Sequence, residues 1–399
     1  MPEIRLKHDW LEARQLAFEA AASLPDEQIP LAAAGGRTLA SEVRALQDLP
    51  HFDSAAMDGW AVSGSAPWIF APPGERLYPG QASPILTGGV LPPGAKAVLR
   101  SESGEETVDG EGLAVLGLST TAAPGEPKAG QHIRRRAQEA GAGEVLLEAG
   151  SILNPARLAL GALAGVDELT VGGKPKVRLL LTGNEIIETG LPEPGQVRDV
   201  FGPQLAWTVE MLGGVVTGQQ RLSDELPATV AALSEDDGQL LISTGGTGHS
   251  NADYLHRALA EIGAELLVDG VSMRPGAPSF LAALPELGSG PRFLVGLPGN
   301  PLAAFIGLLT LAQPLLAGLN GEALPEIGQL ACGVAFEPLA GRTRLMPYRE
   351  LYGLASPVSK VEAAMLRGLV QAEGIMVVPP HGVRMGESVQ VLPLPWSTP

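Results

Sequence analysis

One cysteine, Cys332, stands among 399 residues. It excludes an internal disulfide framework and fits a reducing compartment. Basic residues are few as well: 27 Lys and Arg oppose 44 Asp and Glu, for a net charge of −17. That balance argues against non-specific binding to nucleic acid or to an anionic membrane. It leaves an anionic small ligand open, because local charge at a pocket can oppose the global sign. The N-terminal stretch "MPEIRLKHDWLEARQLAFEAA" has no continuous apolar core and reads as an amphipathic helix, not a signal peptide. No run approaches the roughly eighteen apolar residues of a membrane span. A cytoplasmic protein is expected. The histidines are scattered singly, without the spacing of a zinc site. G-x-x-x-x-G-K-[ST], H-E-x-x-H, C-x-x-C and G-x-S-x-G are all missing.

What is there is a folded chain with 45% hydrophobic and 18% charged residues, long enough for several domains. Residues 10–23 read as a helix, with Leu11, Leu16 and Phe18 among alanines. The polar-to-apolar segment "GGRTLASEVRAL" follows. From about 46 to 137 short β-like runs ("WAVSG", "KAVLRS", "LAVLGL") alternate with Gly and Pro, the texture of a small β-rich domain. Residues 143–171 return to helical periodicity, with Asn154 as cap and Pro155 at the first helical position. From 176 onward apolar strands ("VRLLLT", "GGVVTG", "QLLIST", "AELLVDG", "RFLVGL") alternate with helices such as "DYLHRALAEIG" and "NPLAAFIGLLTLAQPLLAGL". That alternation implies a parallel sheet covered on both faces, with ligands at the carboxyl ends of its strands. "STGGTG" and "GLPGN" both follow strands and so belong on that rim. After Pro325 short strands return, as in a small barrel or sandwich.

The chemistry rests on glycine loops, arginines and carboxylates. Leu240, Leu241 and Ile242 run into "STGGTG" and an apparent helix start. Such a turn bares backbone N–H groups beside a positive helix end, which suits a phosphate or oxyanion; a plain tight turn reads the same way. Asp253, near that helix start, is either a cap or a holder of a hard cation. Glu185 in "LTGNEI" follows another strand end, where a carboxylate has no packing purpose. Arg134, Arg135 and Arg136 form a basic run that is either a solvated face or a bidentate oxyanion grip. Asp58 in "SAAMDGWAV" is either a turn former or a functional carboxylate. Cys332 reads as core.

Together and in order, "PHFDSAAMDGWAV" (50–62), "ILTGGVLPPGAKAVLRSE" (85–102), "GQHIRRR" (130–136), "LLTGNEI" (180–186), "STGGTGHSNADY" (243–254), "MRPGAP" (273–278) and "GLPGNP" (296–301) resemble the molybdopterin molybdenumtransferase family, that of MoeA and the gephyrin E-domain. The resemblance spans nearly the whole chain. It implies an enzyme of molybdenum cofactor biosynthesis, an elongated homodimer that uses Mg²⁺ to insert molybdenum from molybdate into adenylated molybdopterin, releasing AMP. It implies a multidomain α/β plus β fold. An elongated linker domain would take residues 1–45 and 138–172, and a β-rich domain 46–137. A three-layer α/β molybdopterin-binding domain with a mostly parallel sheet would take 173–319, and a C-terminal small β-barrel 320–399. Asp58, Glu185, Asp224 and Asp253 match the family's acidic catalytic positions, Glu185 and Asp253 as metal ligands. Thr87, Gly88, Arg134, Arg135, Arg136, Thr244, Gly245, Gly246, Arg274, Pro275, Gly276, Pro298, Gly299 and Asn300 match positions that bind molybdopterin or molybdate. Implied partners are a second copy, a molybdopterin adenylyltransferase and molybdoenzyme maturation proteins, with no nucleic acid and no membrane.

The chain departs from the family pattern at Asn184, where an acidic residue is usual, and at Ala137–Glu139, where Gly-Glu-Asp is usual. Further departures are Phe201 for Asn, Thr247-Gly248-His249-Ser250 within the glycine loop, Ala277 for a basic residue, and "KVEAAML" for a Ser-Gly turn. Two other readings accompany the transferase. "TGGTG" also resembles the single-domain molybdopterin adenylyltransferases, against which segments 1–172 and 320–399 speak. Asn184, Phe201 and Ala277 suit a non-catalytic paralogue that binds pterin or acts as a scaffold.

Overall fold

The structure, a computed structural model, describes residues 8–235, 238–246, 254–288 and 290–397. Asp9 opens the first helix, α1 (Trp10–Glu19), by accepting the Glu12 N–H at 2.8 Å, while Glu12 reaches back to the Asp9 N–H. The helix stops short of the expected 23. Leu24 precedes Pro25, which disfavours helical geometry, and gives its N–H to Leu319 O at 2.9 Å. The chain divides into two compact units, Asp26–Val171 on one side and Met1–Pro25 with Gly172–Pro399 on the other.

In unit 26–171, the short strand β1 (Ser54–Ala55) precedes a six-stranded sheet. Its strands are β2 (Gly59–Ser63), β3 (Trp68–Phe70), β4 (Gln81–Ile85), β5 (Ala97–Arg100), β6 (Gly104–Val108) and β7 (Ala114–Leu118). Their spatial order is β5-β2-β4-β3-β7-β6. Successive residues serve opposite faces: Ala61, Ile85 and Val98 pack on one side, Val62, Trp68 and Leu99 on the other. β8 (Ile133–Arg134) pairs antiparallel with β1. Helix α2 (Pro155–Leu163) starts as read, with Asn154 Oδ1 accepting the Arg157 N–H at 2.9 Å and Pro155 in the first turn. The flanks expected to continue that periodicity are strands instead, Val145–Leu147 and Glu168–Val171. Leu147, Leu169 and Val171 fill a small core with Leu39, Val43 and Leu153, and this long-range packing overrides local periodicity.

The other unit is built on an α/β layer. In chain order come β9 (Lys176–Thr182), α3 (Leu205–Met211), β10 (Val215–Leu222), α4 (Leu226–Leu233), β11 (Leu240–Thr244), α5 (Tyr254–Ile262), β12 (Glu265–Asp269), β13 (Met273–Arg274), β14 (Phe280–Leu284), β15 (Arg292–Leu297) and helix α6 (Pro301–Leu319). The sheet order is β10-β9-β11-β15-β14-β12, parallel through β15, with β14 reversed. Alternate residues again divide the faces. Leu179, Leu181, Leu240, Ile242 and Val295 meet α1, α3 and α6, whereas Leu180, Leu241, Leu294 and Phe280 meet α4 and α5. Strand β14 is not evident from the sequence because its largely buried "FLAAL" neither alternates nor carries β-branched residues.

Helix α6 corrects the expectation about apolar runs. Its 19 residues have a mean hydropathy of 1.9, long and apolar enough for a membrane by composition, yet 94% of the stretch is buried inside the protein. Residues Leu308–Ala312 form a π turn. Pro314 has no N–H to offer the Thr310 carbonyl, and the buried Arg14 donates to Leu309 O at 2.6 Å. After α6 come the strands β16 (Gly328–Cys332), β17 (Thr343–Leu351), β18 (Leu354–Pro357), β19 (Gly374–Val378) and β20 (Ser388–Pro393), with a short helix α7 (Arg367–Val370) before β19. They pair β17-β18-β16-β20-β19 and back to β17, closing a five-stranded barrel. β13 adds parallel to β17, so residues 273–274 of the α/β layer edge onto the barrel.

Candidate active site

The carboxyl ends of β9, β11 and β15 deliver three loops to one rim. At β11 the chain leaves the sheet through Gly245 and Gly246, with φ of 85° and 63°, a backbone region that only glycine enters freely. The Gly245 N–H is already committed to Leu297 O at 2.8 Å, so it is not offered to a ligand. The Gly246 N–H has no such partner among the described residues. Thr244 is 1% exposed with its hydroxyl buried, so it contributes backbone and not a side chain to the surface. The "GLPGN" loop lies against this turn: a Cβ on Gly299 would stand 3.8 Å from Gly245 Cα. Residues 247–253, including Asp253 and the expected helix start, lie outside the described residues; α5 is described from Tyr254.

On the same rim Asn184 and Asp224 clasp each other. The Asn184 N–H donates to Asp224 Oδ2 at 3.2 Å, and the Asp224 N–H to Asn184 Oδ1 at 3.5 Å. Glu185 follows in the chain, exposed. Among the described residues no three His, Cys, Asp or Glu are grouped to hold a metal ion. Asp199 and Arg221 are not among the site residues expected from the sequence, yet they support this rim. The nearly buried Asp199 accepts the Phe201 and Gly202 N–H groups at 2.9 and 3.0 Å and pairs with Arg221 at 2.6 Å. Arg221 also reaches Glu188 at 2.9 Å, stapling the loop that carries Glu185. Phe201 turns inward and is buried.

Beyond the "GLPGN" loop opens a cleft of about 740 Å³. It gathers Arg274, Pro275, Gly276, Pro298 and Asn300 of the sequence motifs, and adds Arg342 and Arg344 from the barrel. Gly276 is required there, since a Cβ would meet Met273 Cε at 2.8 Å and Ala303 O at 3.2 Å. Ala277 lines the same cleft, and the two barrel arginines supply positive charge beside it. Neither arginine belongs to the motifs read from the sequence. Only the pairing of β13 with β17 brings Arg344 opposite Arg274.

In unit 26–171 the expected residues also converge. Asp58 Oδ1 accepts the Thr87 N–H at 2.7 Å, which holds its carboxyl below the usual range. The Gly88 N–H reaches Ala55 O at 2.8 Å, and the Ala56 N–H reaches His132 O at 2.8 Å, so the Thr87-Gly88 turn and the arginine run flank one strand. The arginines are not equivalent. Arg135 pairs with Asp53 at 2.8 Å and Arg136 pairs with Asp48, whereas Arg134 makes no ion pair among the described residues. Glu126, its side chain 2% exposed, binds Arg100 Nε at 3.1 Å and accepts from the Ser103 hydroxyl at 3.1 Å. Arg100 first, and then the Ala123 N–H and Ser103, hold this carboxyl low against the opposing effect of burial.

Comparison with known proteins agrees along the chain. The MoeA N-terminal region (domain I and II) matches residues 9–165, a probable molybdopterin binding domain matches 178–318, and the MoeA C-terminal region (domain IV) matches 329–394. The molybdopterin molybdenumtransferase of Nostoc sp. is 31% identical over 351 residues, covering 81% of this chain and 76% of the relative. That of Bacillus subtilis is 28% identical over 387 residues, covering 89% and 87%. The crystal structure of a molybdopterin biosynthesis MoeA protein from Pyrococcus horikosii superposes with a TM-score of 0.72 at 25% identity, covering 97% of this chain and 98% of that one.

Proposed function

This chain belongs to the molybdopterin molybdenumtransferase family, and from that premise we propose that it inserts molybdenum from molybdate into adenylated molybdopterin, with release of AMP. One observation carries the reading. The "GLPGN" loop borders the glycine turn on one side and the Arg274–Arg342–Arg344 cleft on the other. A phosphoryl group and an oxyanion can therefore be held side by side in a protein whose net charge is −17. Guanidinium groups match tetrahedral oxyanions by paired N–H donors, and the uncommitted Gly246 N–H faces no Cβ obstruction. Cleaving an adenylate calls for stabilised charge on the phosphoryl group more than for a protein nucleophile. Such a nucleophile is missing from the motifs.

A magnesium ion is usually held by one or two carboxylates together with substrate phosphates, not by a full protein cage. The donors present suit that mode: Glu185 is exposed at the rim and Asp224 keeps an oxygen beyond its bond to Asn184. Bound there, magnesium would neutralise phosphate charge; Glu185 would orient it and the stapled Arg221–Asp199 loop would keep Glu185 in place. An exposed apolar margin of Trp207, Val370 and Trp396 around a groove of about 460 Å³ supports self-association as a homodimer. Light scattering should then return twice the chain mass, and a monomer at micromolar concentration would remove the dimer.

Complementation of a transferase-deficient bacterial strain tests the activity. Molybdoenzyme activity should return at ordinary molybdate. Failure at both ordinary and raised molybdate would leave the scaffold in place of the enzyme. Glu185→Gln should lose most of the restored activity with little change in melting temperature.

A further inference from the structure

We propose that Thr182, the last residue of β9, is a positioning residue that sets the aim of the glycine turn; this rests on the reading of that turn as a phosphoryl site. A single peptide unit is decisive. The peptide joining Thr244 to Gly245 has its carbonyl and its N–H pinned from opposite sides. Thr182 Oγ1 donates to Thr244 O at 2.8 Å from β9, and the Gly245 N–H donates to Leu297 O at 2.8 Å toward β15. β11 lies between those two strands, so both neighbours grip the same plane. A peptide plane held at both ends resists rotation, and from it the left-handed φ of Gly245, 85°, carries the chain to the Gly246 N–H, so turning that plane would turn this donor with it.

The β9–β11 ladder ends at this carbonyl. Register pairs Thr244 with Leu181, so the Thr182 N–H is the last backbone donor that β9 offers Thr244 O, and the Thr182 hydroxyl adds a second hold on the same oxygen. Thr182 is itself nearly buried, so its hydroxyl belongs to the frame and does not touch ligand. The fit is close. A Cβ on Gly245 would stand 2.6 Å from Thr182 Oγ1, so the hydroxyl and the missing side chain are two halves of one contact. Thr182 also begins the "TGNE" loop bearing Asn184 and Glu185. One hydroxyl thus ties the acidic loop to the glycine turn.

The full-length protein is the test object, with Thr182→Val removing the hydroxyl at nearly constant shape, Thr182→Ala removing it without an added methyl, and Thr182→Ser restoring it. Two readouts are needed. Amide exchange reports on the turn without ligand: the Gly245 N–H should exchange roughly tenfold faster or more in Val and Ala, with Leu241 and Ile242 unchanged, and Ser should behave as parent. Anaerobic titration with molybdopterin, followed by fluorescence, reports on the aim. The dissociation constant and KM should rise about ten- to a hundredfold while kcat changes far less, since misplacement by an ångström costs on that order. Rescue by Ser separates positioning from packing. Unchanged Gly245 exchange in Val and Ala would overturn the proposal whatever the parent binds. Parent protein that does not bind molybdopterin would overturn the phosphoryl-site reading, while exchange still decides the role of Thr182. If the Val variant does not fold, the Ala variant decides by the same exchange measurement.

Discussion

Ala137 sits at φ 59°, where a side chain is strained. Its N–H nonetheless reaches Pro50 O at 3.0 Å, so the turn after the arginines is kept and its strain tolerated. Ala137→Gly should raise stability by about 1 kcal/mol in thermal or urea unfolding; a loss would mean that chain entropy outweighs the strain. Asp58 makes a pH prediction. Its carboxyl is held low by the Thr87 N–H, so the contact stabilises above the ordinary aspartate range and is lost only as pH falls through the depressed value. The Thr87 amide shift should therefore stay flat from neutral pH down past about 4 and move only below it. A midpoint at or above 4 would mean that this bond does not form in solution.

At the scale of elements, the glycine turn and the π segment show opposite uses of irregular backbone. In the turn, Gly246 has room only for a small group, with Leu255 Cδ1 3.3 Å from a would-be Cβ. Gly246→Asp would place a charge against the ligand; two unit charges about 4 Å apart repel by roughly 4 kcal/mol at an effective dielectric near 20. Calorimetry should then find binding weakened by several hundredfold or more for Asp and less for Gly246→Ala. Both variants binding like the parent would make the loop a mere turn. The π segment, in contrast, is held from below. Arg14 is buried, donates to Leu309 O and Pro325 O at 2.6 and 3.2 Å, and has its pKa brought down to about 10 by desolvation. Arg14→Met keeps the volume but strands those carbonyls, and should cost about 1–3 kcal/mol in unfolding experiments.

For the whole molecule, the division at Asp26–Val171 has a direct consequence. That unit owns a sheet with packed residues on both faces and a second core around Leu39, Val43 and Val171. Expressed alone, residues 26–171 should melt cooperatively, reported by Trp68, which is buried and donates to Gly64 O at 3.1 Å. A red-shifted, non-cooperative tryptophan signal would show that the unit depends on the rest of the chain.

Much was legible from local pattern alone. Near-continuous apolar strands announced the covered sheet, Asn154-Pro155 announced the start of α2, and strand-end glycines announced the rim, because each of these signals lies within a few residues. The family itself was legible through ordered motifs. The rest depended on partners distant in sequence. That Gly245 spends its N–H on Leu297, that Asp48 and Asp53 occupy two of three arginines, and that Arg344 comes opposite Arg274 are pairings across many tens of residues. The strands flanking α2 and the burial of α6 were decided in the same way, by cores assembled from remote segments. By itself the sequence determined which residue types stood ready at the rim; only the tertiary structure decided which stay available. Hydrogen-bonding capacity is a property of a residue, whereas its availability depends on whatever folding brings beside it.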